Sequence, residues 1–304
     1  MLRAFLAKIL LRIISWFPLS VAHGLGRQVG GVFNSYSNEL SRITRRNIEL
    51  CFPELNAQQI DELTRESLMQ TGMAFIECGA LWLWPVQRVL NHIRQVTGRD
   101  LIEAAMKEGN GVILVIPHLG AWEAVGLYSS KHWPTTSLYR PPKLSGLGQL
   151  IRKGRERAGA KLVSTDVSGV RSLRKALSNG EAVIILPDQD PGRGAGVFAP
   201  FFGVQANTMT LLSRLAGKSG ATVLTAYVER LPKGEGYNIH VSPTPECLAE
   251  KDSAIAVACL NAVIEKCVRE LPAQYQWAYR RFKNRPEGGR KLYGRGPFVR
   301  TDRD

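Results

Sequence analysis

Two short apolar runs in the chain each end in a proline that is followed at once by a titratable residue. The first run, 112–116, leads through Pro117 to His118, and the second, 182–186, leads through Pro187 to Asp188. Apolar runs of this length, bounded by turn residues, are typical of strands that are buried on both faces of a parallel sheet. Ligand crevices in open α/β sheets lie beyond the carboxyl ends of such strands. The pattern therefore predicts two strand ends that open on one crevice.

Predicted strands and helices alternate along the chain after residue 93, and two longer helices precede them. This order is typical of an α/β fold with a mostly parallel central sheet flanked by helices, here behind a helical preface. We expect one domain over residues 36–285. The predicted strands are Val112–Ile116, Thr136–Tyr139, Lys161–Ser164, Ala182–Leu186, Thr222–Val228 and Tyr237–Val241. The predicted helices are Ser37–Leu50, Ala57–Trp84, Leu101–Glu108, Ala121–Lys131, Leu147–Ala158, Val170–Ser178, Thr208–Ser219 and Ser253–Leu271.

His118 and Glu123 are the first candidate catalytic pair. In a continuous helix their five-residue offset would turn the side chains about 140° apart, but Pro117 and Gly120 favour a loop that leads into a first helical turn. A carboxylate bonded to one imidazole nitrogen leaves the other nitrogen free as a general base. The alternative is a structural histidine at a strand end. The position of His118 at the predicted crevice favours a catalytic role, in which Glu123 orients the imidazole.

The segment Asp188-Gln189-Asp190 lies at the second strand end. Two carboxylates two residues apart can share a hard cation, but the other ligands of such a cage are missing. For either aspartate alone, a turn or a helix cap is the alternative. We therefore predict no metal, and we expect these three residues to bind substrate.

Two further features adjoin the predicted crevice. Arg140 ends a third strand, where a guanidinium is suited to an oxyanion or a phosphate, and Lys143 follows it; a solvated arginine is the alternative. The glycines match no phosphate-binding loop, which argues against a nucleotide. An apolar, aromatic lip at 197–203 suits an acyl chain, and its aromatic residues are Phe198, Phe201 and Phe202.

Residues 1–35 combine many apolar side chains with several basic ones. Arg3, Lys8 and Arg12 interrupt the first half, and the uncharged stretch after them is only fourteen residues long and contains Pro18. A spanning helix needs about 20 apolar residues, and no cleavage site of a signal peptide is evident. We expect an interfacial, membrane-anchoring helix, with an ordinary core helix as the alternative.

The formal net charge of +14 is concentrated in two stretches. Residues 140–175 carry ten basic and two acidic residues, and residues 280–304 carry nine and three. The first surplus predicts a surface for an acidic partner, although its side chains circle more than one helix face, so that only some of them touch that partner. The candidates are Arg152, Lys153, Arg155 and Arg157. The second surplus includes a basic tail, 286–304, which we expect to be flexible.

The cysteines are Cys51, Cys78, Cys247, Cys259 and Cys267. Their number is odd, and none of their spacings is typical of a zinc site. We expect all five to be reduced, buried and small hydrophobic residues of a protein that faces the cytosol.

Four blocks in this order resemble the late acyltransferases of lipid A biosynthesis, within the lysophospholipid acyltransferase superfamily. The blocks are His118 and Glu123 as H-x-x-x-x-E, Tyr139-Arg140-Pro141, Pro187–Asp190 with Val197–Gly203, and Gln274–Lys283. The resemblance implies a glycerolipid acyltransferase-like fold that needs no cofactor. It also implies transfer of a fatty acyl group from acyl carrier protein to a hydroxyl of an acyl chain on a lipid A precursor, at the cytoplasmic face of the inner membrane. Tyr279 stands where the family pattern leads us to expect histidine.

The mechanism that these residues suggest agrees with the mechanism that the resemblance implies. His118 would take the hydroxyl proton, Glu123 would support the imidazolium, and Arg140 or backbone amides would stabilise the oxyanion. A phosphoinositide mannoside acceptor, a thioesterase that activates water, and a basic membrane-peripheral binding protein remain alternatives. Interleaved aromatic and basic residues occur only at 277–283, so we expect no nucleic acid partner.

Overall fold

The computed structural model describes residues 2–36, 38–142 and 145–294. Its strands are β1 Ile93–Thr97, β2 Val112–Val115, β3 Thr135–Leu138, β4 Lys161–Val163, β5 Ala182–Ile185, β6 Gly196–Phe201, β7 Val204–Met209, β8 Thr222–Arg230 and β9 Tyr237–Pro243. Its α-helices are α1 Leu2–Ile14, α2 Leu19–Ser35, α3 Glu39–Cys51, α4 Ala57–Leu83, α5 Val86–Leu90, α6 Arg99–Glu108, α7 Glu123–His132, α8 Gly148–Glu156, α9 Val167–Ser178, α10 Leu211–Ser219 and α11 Ser253–Glu270. Short 3-10 helices cover Ser145–Leu147, Pro232–Gly234, Glu246–Ala249 and Pro272–Gln274.

The sheet has seven strands in the order β1-β9-β8-β2-β5-β3-β4. Its neighbouring strands are parallel except for β8 and β9, which are antiparallel. The two apolar runs, β2 and β5, lie side by side near its middle and are buried along their whole length. Helices α1 to α5 precede the sheet. The predicted fold class, a mostly parallel sheet behind a helical preface, is confirmed.

Alternate residues of β2 show why both of its faces must be apolar. Ile113 and Val115 belong to a core cluster that packs the sheet against α3, α9, α10 and α11, while Val112 and Leu114 belong to a second cluster with α6 and α7. Successive side chains in a strand point to opposite faces, so a strand between two helical layers has no polar face.

Three strands were not predicted from the sequence. Strand β1 is an edge strand whose Arg94, Gln95 and Thr97 break the apolar pattern. Strands β6 and β7 form a separate antiparallel hairpin, in which Pro200 pairs with Gln205. A proline within a run argues against a strand, and a two-stranded hairpin tolerates it because both strands are edges.

The amino terminus forms two helices, α1 and α2, that are separated at Pro18. Large apolar side chains are exposed along both of them: Phe5, Leu6, Ile9, Leu10, Ile13, Trp16, Phe17, Val21, Leu25, Val29, Val32 and Tyr36. Among the helices in the described ranges, none combines the length and apolar character that crossing a bilayer requires.

Two expectations change with the structure. Cys247 and Cys259 are joined by a disulfide, so the prediction that all five cysteines are reduced is wrong for this pair. Leu292 is buried, and the Tyr293 hydroxyl donates to Asn47 at 2.6 Å. The packed part of the chain therefore extends past residue 285, into the segment predicted to be a flexible tail; residues 295–304 lie outside the described ranges.

Candidate functional site

His118 lies in the turn that follows β2, and backbone contacts fix this turn on both sides. The Gly120 amide donates to the Gln274 carbonyl at 3.0 Å, and the Ala121 amide donates to the Val228 carbonyl at 3.1 Å. Gly120 has a φ of +60°, and a Cβ atom there would lie 1.6 Å from the Val228 carbonyl oxygen. Only glycine fits such a turn.

Asp188 follows β5 and is the carboxylate that contacts His118. Its Oδ2 accepts the His118 backbone N–H at 2.8 Å, and its Oδ1 lies 2.7 Å from the His118 Nδ1. Because β2 and β5 are parallel neighbours, with Val115 opposite Ile185, their carboxyl ends bring these two residues together. The two strand ends therefore meet, as predicted, and the crevice that they were expected to share stays a prediction.

The bond to Asp188 determines which imidazole nitrogen carries the proton in the neutral ring. Burial raises the pKa of Asp188, but the charge of His118 and the hydrogen bonds from its ring and its backbone outweigh burial, so the net pKa lies below its ordinary value. The carboxylate is therefore ionised and can only accept, which places the proton on the His118 Nδ1. Nε2 is left with its lone pair, on a side chain that is 16% exposed.

Gln189 lies beside this free nitrogen. Its Nε2 is 3.4 Å from the His118 Nε2, and it donates to the Gln276 Oε1 at 3.0 Å. The Gln276 backbone amide donates in turn to the His118 carbonyl at 3.0 Å. The sequence pattern did not point to Gln276, although it belongs to the carboxyl-terminal block of the family resemblance.

Glu123 is not the carboxylate that orients His118. It begins α7 and accepts two hydrogen bonds from Arg155 of α8, at 2.8 Å from Nε and 2.5 Å from Nη2. Burial raises the pKa of Glu123, but the charge of Arg155 and its hydrogen bonds lower it by more than burial raises it. The net pKa is therefore below the ordinary value. The predicted contact between Glu123 and the imidazole is therefore wrong, since Asp188 occupies that position.

Arg155 is a guanidinium that Glu123 binds, rather than a surface residue that is free for a carrier protein. Its side chain is 32% exposed, and its Cζ lies 5.5 Å from the centre of the Tyr139 ring. Nε and Nη2 are occupied by Glu123, and Nη1 has no hydrogen-bond partner within the described residues. A bidentate carboxylate fixes the guanidinium plane and leaves that edge for an anion.

Arg157 also differs from its predicted role. It donates to the carbonyls of Trp84 at 3.0 Å and Leu81 at 2.8 Å, at the end of α4. Burial lowers its pKa to about 10. Arg152 and Lys153 remain exposed on α8, and Arg152 pairs with Glu156 of the same helix. Two of the four predicted carrier contacts are thus available at the surface.

Asp190 has the structural role that was the alternative for it. It is 4% exposed, and its Oδ1 accepts from the Gly192 amide at 2.7 Å and from the side chains of Asn207 at 3.2 Å and Asn284 at 2.9 Å. Its own amide donates to the Tyr279 hydroxyl at 3.1 Å. Tyr279, where the family pattern suggested histidine, therefore supports the loop that carries Asp188.

The predicted aromatic lip is largely part of the core. Phe201 is 0% exposed, and Phe202 is 6% exposed and packs against Phe52 and Trp277. Neither ring is exposed at the surface, and their predicted contact with an acyl chain stays a prediction. Phe198 is half-buried.

Arg140 is exposed beyond β3 and makes no side-chain hydrogen bond or ion pair within the described part of the chain. Lys143 lies outside the described residues. Among those that are described, no group of three or more histidine, cysteine or acidic side chains is arranged to hold a metal ion.

Comparison with known proteins identifies one family. Residues 1–284 match the family described as bacterial lipid A biosynthesis acyltransferase. The chain is 34% identical over 280 residues to the lipid A biosynthesis palmitoleoyltransferase of Escherichia coli (strain K12), covering 91% of this chain and 89% of that protein. It is 34% identical over 278 residues to the lauroyltransferase of the same organism, covering 91% and 90%. For the myristoyltransferase of that organism the identity is 23% over 265 residues, covering 86% and 81%.

Proposed function

The chain belongs to the bacterial lipid A biosynthesis acyltransferases, and we propose that it moves a fatty acyl group from an acyl carrier protein thioester to a hydroxyl on an acyl chain of a lipid A precursor. The observation that carries this proposal is the His118–Asp188 pair. It places the Nδ1 of His118 on a carboxylate and turns Nε2 away from it, at the carboxyl edge of a parallel sheet. A hydroxyl is a weak nucleophile until such a base takes its proton.

The reaction proceeds by direct attack. The His118 Nε2 takes the proton from the acceptor hydroxyl, and the oxygen forms a bond to the thioester carbonyl carbon. The tetrahedral intermediate collapses, the carbon–sulfur bond breaks, and the thiolate of the carrier takes the proton back from His118. Asp188 holds the imidazole in place and stabilises its positive charge, and no acyl-enzyme forms.

Arg155 is the side chain that we assign to the oxyanion in this scheme, because it is a fixed guanidinium paired with Glu123 of the same motif as His118. Glu123 binds two of its nitrogens and so fixes the plane of the guanidinium. The direction of the third nitrogen, Nη1, is therefore set by this pair and not by the flexible side chain. Arg140 is exposed and has no ion-pair partner among the described residues, which suits it better to a phosphate of the acceptor.

The apolar side chains on α1 and α2 support binding at a membrane surface. Twelve large apolar residues are exposed on or beside two consecutive helices, and the basic Lys8 and Arg12 accompany them. A contiguous apolar surface of this kind marks an interaction site, and the basic residues favour anionic lipid headgroups. This supports residues 1–35 as an interfacial anchor at the cytoplasmic face of the inner membrane, with Arg152 and Lys153 facing the acidic carrier.

The partial exposure of His118 also favours a second activity. A side chain that is 16% exposed can be reached by water, and the same base would then hydrolyse the thioester. Hydrolysis and transfer differ in product: the first releases free fatty acid, and the second adds the acyl mass to the lipid.

The test incubates the purified protein with acyl carrier thioesters, with and without a lipid A precursor, and follows both products by mass spectrometry. Because relatives at equal identity are named for palmitoleoyl and lauroyl groups, donors of both kinds and a myristoyl donor are compared. We expect an acylated lipid from the wild type and a loss of about 10²–10⁴-fold in rate for His118→Ala. Normal transfer by a folded His118→Ala variant would refute the mechanism, and fatty acid as sole product would favour the thioesterase.

A further inference from the structure

Arg230 is a buried cation that contacts the turn carrying His118, and the proposed mechanism does not use it. It ends β8 and is 4% exposed. Its Nη2 donates to the Gly120 carbonyl at 3.1 Å, and Gly120 belongs to the turn that carries His118. Its backbone exchanges two hydrogen bonds with the Gln274 side chain, at 2.8 and 2.9 Å.

Glu77 of α4 holds the guanidinium from the other side. It accepts from the Arg230 Nε at 2.9 Å and also from its Nη2. Burial raises the pKa of Glu77, but Arg230 and His23 lower it to about 2, so the group is ionised. A buried ion pair gives little net stability compared with apolar side chains of the same shape, because both charges lose their water. Stability alone therefore does not explain the pair, whereas its bond to the catalytic turn gives it a use.

His23 connects this pair to α2. Its Nε2 donates to the Glu77 Oε2 at 3.0 Å, and its side chain is 4% exposed. The Tyr237 hydroxyl from β9 donates to the same oxygen at 3.2 Å. Besides its bonds to Arg230, Glu77 thus has one bond to α2 and one to β9.

Helices α2 and α4 touch backbone to backbone, so a displacement of one must move the other. A Cβ atom on Gly26 would lie 2.5 Å from the Met73 Cα, and one on Gly72 would lie 2.1 Å from the Gly26 carbonyl oxygen. Close-packed interfaces transmit displacement because they have no free volume to absorb it. The opposite face of α2 exposes Val21, Leu25, Val29 and Val32.

We propose that His23, Glu77 and Arg230 form a positioning relay, which transmits the position of α2 to the catalytic turn at Gly120. When α2 binds a lipid surface, the relay restricts the motion of this turn. The relay rests on the proposed function of His118. It acts through the Gly120 carbonyl and touches no reacting atom, so its members are positioning residues.

Amide hydrogen exchange over residues 117–122 tests the relay in the full-length protein, with and without vesicles of phosphatidylethanolamine and phosphatidylglycerol that lack the acceptor. The amides of His118, Gly120 and Ala121 report the turn directly, because each donates a hydrogen bond there. We expect vesicles to slow their exchange in the wild type. In His23→Phe the vesicle effect should disappear, and exchange should be about tenfold faster, the factor for losing one hydrogen bond to a charged group.

Tyr237→Phe is the matched control. It removes one hydrogen bond to the same Glu77 oxygen but leaves α2 attached, so it should keep the vesicle effect. His23→Gln, which retains an N–H donor, should restore the effect partly. Equal vesicle responses in His23→Phe and Tyr237→Phe, or no response in the wild type, would overturn the relay.

Activity separates this inference from the proposed function. His118→Ala should lose transfer and keep the vesicle effect on exchange. If His118→Ala retained transfer, the proposed function would fail while the exchange result stood. With the acceptor in vesicles, His23→Phe should lower kcat about tenfold without changing KM for the donor, since one hydrogen bond to a charged group is lost.

Discussion

Replacing Asp188 by asparagine tests the assignment of the catalytic carboxylate most directly. The two oxygens of Asp188 have different partners, because Oδ2 accepts the His118 backbone N–H at 2.8 Å and Oδ1 faces Nδ1 at 2.7 Å. An asparagine has only one oxygen. The backbone N–H can only donate, so that oxygen must face it and the NH₂ group must face Nδ1. The imidazole then accepts at Nδ1 and carries its proton on Nε2, where it can no longer act as a base.

The magnitude follows from the loss of the reactive tautomer. A positioned base contributes about 10²–10⁴-fold in rate, and the corresponding Asp→Asn change in a serine protease costs about 10⁴. We therefore expect kcat to fall about 10³-fold, equivalent to about 4 kcal/mol of transition-state free energy. The flipped amide offers little escape, because it would set NH₂ against the buried His118 N–H and leave two donors unpaired, at about 1–3 kcal/mol for each of them.

Asp190→Asn is the matched control for this experiment. Asp190 lies in the same loop with the same burial, but only its Oδ1 accepts hydrogen bonds, and its Oδ2 has no partner among the described residues. An asparagine can keep Oδ1 in place, so kcat should change at most a few-fold. Initial rates of transfer to the lipid A precursor are measured at saturating donor and acceptor, with circular dichroism to confirm folding. If Asp188→Asn kept more than a tenth of the wild-type kcat, Asp188 would not determine the tautomer and the reasoning would be refuted.

Three further predictions concern the charged pairs. Arg155→Lys, which replaces a bidentate guanidinium by a point charge, should lower kcat about 10–100-fold in the transfer assay and leave KM for the carrier-bound donor nearly unchanged; an unaltered kcat would remove Arg155 from the mechanism. Reversing the charges of Arg152 and Lys153 should raise KM for that donor and flatten its salt dependence, while a short carrier-free thioester reacts normally; equal losses with both donors would contradict a carrier surface. The ionised form of Glu77 stabilises the fold fully above its ordinary pKa of 4.5, and this stability is lost as the pH falls towards 2. Urea unfolding of Glu77→Gln should therefore depend less on pH in that interval than unfolding of the wild type, and equal slopes would contradict a lowered pKa.

The sheet was predictable where burial on both faces leaves a continuous apolar run. Strands β2 and β5 have no polar residue over four positions, so the sequence signal is unambiguous. Edge strands and hairpin strands lack that signal, because they are not covered on both faces and can therefore carry polar residues. The hairpin also explains Phe201 and Phe202: adjacent aromatic residues suggested a surface lip, yet the hairpin packs against α3 and α11, and both rings enter the core.

Proximity along the chain was a misleading guide to the partner of His118. Glu123 is five residues away, but at the start of α7 it faces α8 and bonds to Arg155, which is 32 residues further on. Asp188 is 70 residues from His118 and reaches it because β5 is the hydrogen-bonded neighbour of β2. Strand order is set by how the helices pack over the whole sheet, so no local spacing encodes it. The disulfide between Cys247 and Cys259 is likewise a consequence of how α11 follows the preceding turn, which an odd cysteine count does not reveal.

The two carboxylates near His118 have different partners, and the roles that we propose for them follow from that difference. Glu123 is neutralised by a bidentate guanidinium, and its lowered pKa makes it a poor proton acceptor. Asp188 is bonded to an imidazole, and such a bond passes basicity on to the second ring nitrogen instead of quenching it. A carboxylate held by arginine thus supports the charge of that arginine, while a carboxylate held by histidine supports proton transfer. In the proposed mechanism, the H-x-x-x-x-E motif joins two separate units, a base that Asp188 orients and a cation that Glu123 anchors.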